Sequence, residues 1–278
     1  MLENFKSQGE VISKILDLKK KIWSGYFAEP KIKKNFESEI SYDFLVYDRL
    51  LRKYNCQPRG ALYLGGHKGE MLLTLVLLGF KKILVVEPQP ELFEQLQERV
   101  ALINEFISSY DSLIDGEQIT LIEAVQCGVG ALNSEAKFYI TSKSQLSSLF
   151  KPIEEVINEE TIYSESKVSI DNQIVVPIKT VDSLIEESSG DVLEFNFLYM
   201  NIQGSELQAL EGAQKTLPHL DSIYLEKNLT PRYQDSPKPE EIDNYLLKHN
   251  FVKAWGYLLS DYGVSYDFYI NKKIGNRE

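Results

Sequence analysis

Cysteine is scarce in this sequence: 278 residues hold only Cys56 and Cys127, far apart and without a CxxC spacing. That excludes a disulfide framework and a cysteine-based zinc site, and it fits a reducing, cytoplasmic setting. Long hydrophobic runs are missing as well. The longest apolar stretch, Met71–Phe80, is about half of the roughly 20 residues that a membrane-spanning helix needs. The first turns are interrupted by Glu3, Lys6, Glu10, Lys14 and Asp17, which leaves no apolar core for a secretory signal; neither secretion nor membrane insertion is expected. Positive charge is outweighed, with 30 Lys and Arg against 41 Asp and Glu and a net charge of −11. Binding to nucleic acid runs on phosphate neutralisation by Lys and Arg, so that balance argues against a nucleic-acid partner. There is no DxD pair and no His/Asp/Glu group with ligand spacing among the three histidines and the acids, which argues against a metal site.

What is present is ordinary globular composition: 43% hydrophobic and 26% charged residues, enough to bury one sizeable core without a disulfide or metal. The charge is unevenly placed. Residues 1–34 carry eight lysines against Glu3, Glu10, Asp17 and Glu29, a basic amphipathic arm ahead of an acidic body, which reads as a solvated helix face.

Periodicity divides the chain in two. Over residues 1–57 Val11, Ile12, Ile15, Leu16, Leu18 and Ile22, and again Ile40, Phe44, Leu45, Tyr47, Leu50 and Leu51, recur at helical spacing around a break near Pro30, so a helical extension or lid is expected there. From residue 58 to 278 short apolar runs alternate with amphipathic segments, the signature of strands and helices around a parallel sheet. Strands are expected at Ala61–Leu64, Ile83–Val86, Ile119–Val125, Phe195–Ile202 and Ile223–Leu225, with helices at Glu70–Gly79, Pro90–Phe106, from about Ser205, and at Glu240–His249. Ser205 and Gln208 have capping-box spacing. Ala136–Ile140 and Ile174–Ile178 read as extra strands flanking an irregular, acid-rich insertion at 151–172, and Phe251–Tyr257 with Tyr266–Ile270 as a closing antiparallel pair. The fold class expected is α/β: a doubly wound, mostly parallel, seven-stranded Rossmann-like sheet behind an N-terminal helical extension.

In such sheets ligands bind at the carboxyl ends of the strands, so the loops there carry the functional signal. The first, Gly65-Gly66-His67-Lys68-Gly69, permits a tight turn and close backbone approach. A dinucleotide GxGxxG ending at Gly69 would need glycine where Leu64 stands, and the phosphate-cradling GxxxxGK[ST] pattern is absent. The second loop begins at Glu87-Pro88, 22 residues after Gly65, where a carboxylate can hold both hydroxyls of a ribose. Ribose recognition without a phosphate signature favours S-adenosylmethionine over NAD. The third follows the buried run Leu198-Tyr199-Met200 with Asn201-Ile202-Gln203-Gly204-Ser205-Glu206.

On these motifs, together with Ser147-Ser148-Leu149, Thr180-Val181-Asp182-Ser183-Leu184, Leu210-Glu211-Gly212-Ala213 and Glu226, the chain resembles the FkbM family of S-adenosylmethionine-dependent methyltransferases over about residues 58–258. The resemblance implies an O-methyltransferase acting on a hydroxyl of a sugar or a biosynthetic intermediate, a small-molecule or saccharide acceptor. It implies cofactor contacts from Tyr63, Gly65, Gly66, His67, Lys68, Gly69, Glu87, Pro88, Gln126 and Asn201, and substrate contacts from Ser147, Ser148 and Gln203. Family members usually carry Asp at the positions of Tyr63 and Asn201. Those departures leave open an alternative, a module that keeps the fold for binding or assembly without catalysis.

Methyl transfer to a hydroxyl needs alignment of acceptor and methyl, which can supply roughly 7–11 kcal/mol, and a base within hydrogen-bond reach. His67 is a candidate because a histidine ordinarily titrates near neutrality. Glu226, at a strand end, is a candidate for base or acceptor orientation, and the Asn201 amide can position either substrate. Lys68 is placed to attract a carboxylate, and Gln126 falls where an adenine contact belongs.

Overall fold

A computed structural model of the chain describes residues 46–110, 120–159, 167–188 and 190–273. The chain divides into two compact units, Met1–Leu50 and Leu51–Glu278. The helical pattern expected over residues 1–45 lies outside the described residues, and residues 46–53 are helical.

The second unit is built on a seven-stranded sheet of order β3-β2-β1-β7-β8-β10-β9. Its strands are β1 (Gly60–Leu64), β2 (Lys82–Val86), β3 (Leu121–Val125), β7 (Phe197–Met200), β8 (Ser222–Asn228), β9 (Phe251–Leu259) and β10 (Val264–Asn271). β1, β2, β3, β7 and β8 run parallel, and β10 pairs antiparallel with both β8 and β9. The sheet is therefore mostly parallel, as its uninterrupted apolar runs predict. β1 is buried at all five positions and β7 at all four, as expected for strands covered on both faces.

Helices α1 (Leu72–Leu77), α2 (Pro90–Tyr110), α3 (Glu154–Glu159), α4 (Val181–Glu187), α5 (Glu206–Glu211) and α6 (Pro239–Lys248) surround it. Side-chain alternation along the strands assigns the two faces. Leu62, Leu64, Leu198, Met200, Ile223 and Leu225 pack into one cluster with Val181, Leu184 and Ile185 of α4, Ala209 and Leu210 of α5, and Ile242 and Leu246 of α6. The opposite face carries aromatics in register: Tyr63 pairs with Tyr199, Tyr199 with Tyr224, and Tyr224 with Phe268. Tyr63 meets Tyr199 edge to face at 5.2 Å, and Phe80, beyond α1, stacks on Phe197 at 5.2 Å.

The strands expected around the insertion are present and longer, as β5 (Ser134–Thr141) and β6 (Ile170–Lys179). They pair antiparallel and, with β4 (Gly128–Val129), form a separate three-stranded sheet held by Phe138, Val176 and Ile178. Of the expected insertion, 154–159 is helix α3 and 160–166 lies outside the described residues. One local expectation is corrected. Ser205 precedes α5 but makes no capping hydrogen bond. Glu206, in the first turn, instead ties down the preceding loop, its carboxylate accepting from the Ile202 and Gly204 N–H groups at 3.1 and 3.0 Å.

Candidate functional site

Strand order reverses between β1 and β7, since the chain moves outward to β2 and β3 on one side and to β8 on the other. The carboxyl ends of β1 and β7 therefore open the crevice where doubly wound sheets hold ligands. The glycine loop leaves β1 at that point. Gly66 N–H donates to Val86 O at 2.7 Å, which folds the loop back over the end of β2. Gly65 has φ +84°, and a Cβ there would lie 2.1 Å from Asn201 O. Only glycine combines that conformation with so close an approach, so the loop and the β7 end meet backbone to backbone.

Glu87 sits just beyond β2, 5% exposed. Its Oε2 accepts from His67 N–H at 2.8 Å and its Oε1 from Gln89 N–H at 2.9 Å. Burial pushes the carboxyl above its ordinary value, and those two backbone hydrogen bonds oppose the push. Each oxygen keeps a further lone pair, because a carboxylate can accept about four hydrogen bonds. Gln89 is buried beside it, and its side-chain oxygen has no partner among the described residues. Pro88 is half-buried between them. Gln126 is exposed one residue past β3, next to Val125, whose carbonyl accepts from Glu87 N–H at 3.2 Å.

Tyr63 is buried, and its hydroxyl donates to Gly66 O at 3.1 Å. Burial first, and then the Glu70 charge, push that hydroxyl well above its ordinary pKa, so it acts as a neutral donor. His67 adopts φ +46°, in the left-handed region, and its ring is held at both nitrogens. Nδ1 lies 2.8 Å from Glu70 Oε1, and Nε2 lies 2.8 Å from Ser144 Oγ. Burial works to raise the Glu70 carboxyl, but the hydrogen bond and attraction of His67 outweigh it and hold the group below its ordinary value. Lys68 is half-buried and gives only its backbone N–H to Glu70, at 3.2 Å.

A second polar cluster lies at the ends of β7 and β8. Asn201 Nδ2 donates to Glu226 Oε2 at 3.2 Å. Gln203 Nε2 donates to Asn201 Oδ1 at 2.6 Å and to Glu226 Oε1 at 3.0 Å. Tyr233 hydroxyl donates to Gln203 Oε1 at 2.8 Å. Gln203 holds φ +52°, a cost of order 1–3 kcal/mol for a non-glycine residue, and that tight turn brings its amide back over Asn201. Glu206 lies beneath, 2% exposed; burial pushes its carboxyl up to about 7, and the nearby Glu226 charge adds to the push.

The segment after β5 joins the two clusters. It begins with a single 3-10 turn, Ser144–Leu146, which places Ser144 on His67. Ser147 Oγ accepts from Thr141 N–H at 3.1 Å, closing the turn on its own strand. Ser148 Oγ donates to Gln203 O at 2.7 Å and accepts from Phe150 N–H at 2.9 Å. Both hydroxyls expected to meet substrate are thus engaged in fastening this strap. Of the residues expected from sequence, Tyr63, Gly65, Gly66, His67, Lys68, Gly69 and Glu87 share the first cluster, and Asn201, Gln203 and Glu226 the second. Glu70, Gln89, Ser144 and Tyr233 were not expected.

The profile of the family described as methyltransferase FkbM domain matches residues 64–258. No curated protein matches the chain. Among solved structures, magnesium protoporphyrin IX methyltransferase from Synechocystis PCC 6803, with bound S-adenosylmethionine, is similar at 10% identity and a TM-score of 0.42, over 92% of this chain and 90% of that one. A putative tRNA (m1A22) methyltransferase from Streptococcus pneumoniae, in complex with S-adenosylmethionine, aligns at 10% identity and a TM-score of 0.39, over 80% of this chain and 72% of that one. A putative RNA methyltransferase from Pyrococcus horikoshii aligns at 13% identity and a TM-score of 0.35, over 82% and 83%.

Proposed function

The chain belongs to the FkbM family of S-adenosylmethionine-dependent methyltransferases, and from that premise we propose that it methylates a hydroxyl of a small-molecule or saccharide acceptor bound over the ends of β7 and β8. The observation that carries the cofactor side is the Glu87 carboxylate. It is buried, fixed by two backbone donors, and still has lone pairs to offer a ribose diol, beside an unpartnered Gln89 oxygen. The close approach of Gly65 to Asn201 O fixes the glycine loop against the end of β7, so the loop beside Glu87 is held in place. The residues present therefore fit the cofactor.

Bound there, S-adenosylmethionine supplies an electrophilic methyl group on a cationic sulfur. Glu87, Gln89 and the glycine loop would hold its nucleoside, with Pro88 and Gln126 near the base. Asn201, Gln203 and Glu226 form a tied set of amide and carboxylate groups whose unused lone pairs and hydrogens suit a neutral hydroxyl acceptor. Rigid placement of this kind is where the largest rate gain in a displacement arises. Among the described residues no helix is long and apolar enough to cross a membrane.

The test uses S-adenosylmethionine carrying an isotope-labelled methyl group, offered with a panel of saccharides, other polyols, amines and carboxylic acids. Label recovered as a methyl ether supports the reading. Label found only on nitrogen or as an ester, or on nothing in the panel, overturns the assignment of a hydroxyl acceptor.

A further inference from the structure

Glu70, His67 and Ser144 stand in one line: acid to Nδ1 at 2.8 Å, Nε2 to hydroxyl at 2.8 Å. A carboxylate on Nδ1 holds the hydrogen there, which leaves the Nε2 lone pair as the accepting group. The partner on that lone pair is a hydroxyl, the same chemical group that the proposed acceptor would present. Ser144 reaches it from the strap, not from the sheet. It is anchored only by its place in the turn, since Ser147 is tied to Thr141 and Ser148 to Gln203.

We propose that Glu70 and Ser144 are positioning residues of a proton relay: Glu70 sets the His67 tautomer, and Ser144 Oγ occupies Nε2 until the acceptor hydroxyl displaces it and yields its proton to that nitrogen. The inference rests on the methyltransferase reading and adds the base to it. As the acceptor oxygen bonds to the methyl carbon, its O–H bond breaks with the electron pair kept by oxygen, and the proton passes to Nε2. The carbon–sulfur bond breaks with its pair going to sulfur. Positive charge thus leaves sulfur and ends on the imidazolium, facing the Glu70 carboxylate. The other charged groups in this cluster are Glu87, which accepts from the His67 backbone N–H, Lys68, whose backbone N–H reaches Glu70, and Arg99, whose charge acts on Glu70. Glu226, whose two oxygens accept the Asn201 and Gln203 amide hydrogens, is left with the role of orienting the acceptor.

The full chain carries only three histidines, His67, His219 and His249, so nitrogen-15 NMR of the imidazole rings reads the tautomer directly, with His67→Asn identifying the signals. At about pH 8, where a histidine is ordinarily neutral, the native protein is expected to carry hydrogen on Nδ1. Glu70→Ala is expected to move the tautomer ratio towards Nε2–H by roughly tenfold or more, the size set by one charge-assisted hydrogen bond. Ser144→Ala is expected to keep hydrogen on Nδ1. A native Nε2–H tautomer overturns the relay even if Glu70→Ala does not fold. So does an unmoved ratio in Glu70→Ala, or a reversal in Ser144→Ala, which would give Ser144 the role assigned to Glu70. A parallel titration of the native chain with S-adenosylmethionine separates the two readings: failure to bind removes the methyltransferase site and leaves the tautomer result standing on its own.

Discussion

Raising the pH from about 5 to 8 should destabilise this protein through one buried carboxyl. Glu206 is 2% exposed beneath Glu226, and its pKa is raised from 4.5 to about 7. In the unfolded chain the group returns to its ordinary value. Below pH 4.5 both states hold the proton, and above about 7 neither does. Between those limits only the folded state holds it, so stability falls as pH rises. The full fall is the shift multiplied by about 1.36 kcal/mol per unit, or roughly 3 kcal/mol. Glu87 is raised in the same direction, so the native profile alone is steeper than one residue explains. The difference between the native protein and Glu206→Gln isolates the effect. Urea unfolding at half-unit steps should show the native curve dropping faster than the variant's by up to ~1.4 kcal/mol per pH unit between about pH 5 and 7. Parallel curves across that window would refute the assignment of the proton to Glu206.

Three substitutions test the geometry around it. Gly65→Ala places a Cβ 2.1 Å from Asn201 O at φ +84°, and it should lower the unfolding midpoint by the equivalent of at least about 1–3 kcal/mol; an unchanged melting temperature would show that the loop has room. Asn201→Asp replaces the amide 3.2 Å from Glu226 Oε2 with a second carboxylate. Repulsion near 4 Å at an effective dielectric of 20 is on the order of 4 kcal/mol, so the variant should be much less stable at pH 7 and recover at low pH; equal loss at both would point to shape and not charge. Ser148→Ala leaves Gln203 O and Phe150 N–H without a buried partner, and urea titration should register a loss of roughly 1–3 kcal/mol for each unmet group.

The strands of the main sheet were legible because burial on both faces writes an unbroken apolar run, as in Ile83-Leu84-Val85-Val86. β5 and β6 were legible as strands but not as members of a second sheet, since alternation along a strand does not say which partner it pairs with. The spacing of Ser205 and Gln208 produces no capping box, because Ser205 Oγ makes no hydrogen bond among the described residues, and the neighbouring Glu206 carboxylate binds the Ile202 and Gly204 N–H groups of the loop before the helix. The glycine loop and Glu87 could be read locally. Ser144 could not, since it meets His67 across 77 residues, nor could Tyr233, which meets Gln203 across 30. Ser147 and Ser148 carry a motif whose spacing does not show that their hydroxyls also fasten a strap to Thr141 and Gln203.

The central claim is that Glu87 and the glycine loop hold S-adenosylmethionine, and calorimetric titration of the native chain beside Glu87→Ala tests it most directly. Hydrogen bonds to a charged group contribute about 1.5–3 kcal/mol each, so losing two to a ribose diol should weaken binding by roughly 10²–10⁴-fold. The expected result is one site on the native chain for S-adenosylmethionine and for its demethylated product, both weakened to that extent in a variant that still unfolds cooperatively. No binding by the native chain, or equal binding by the folded variant, would contradict the claim.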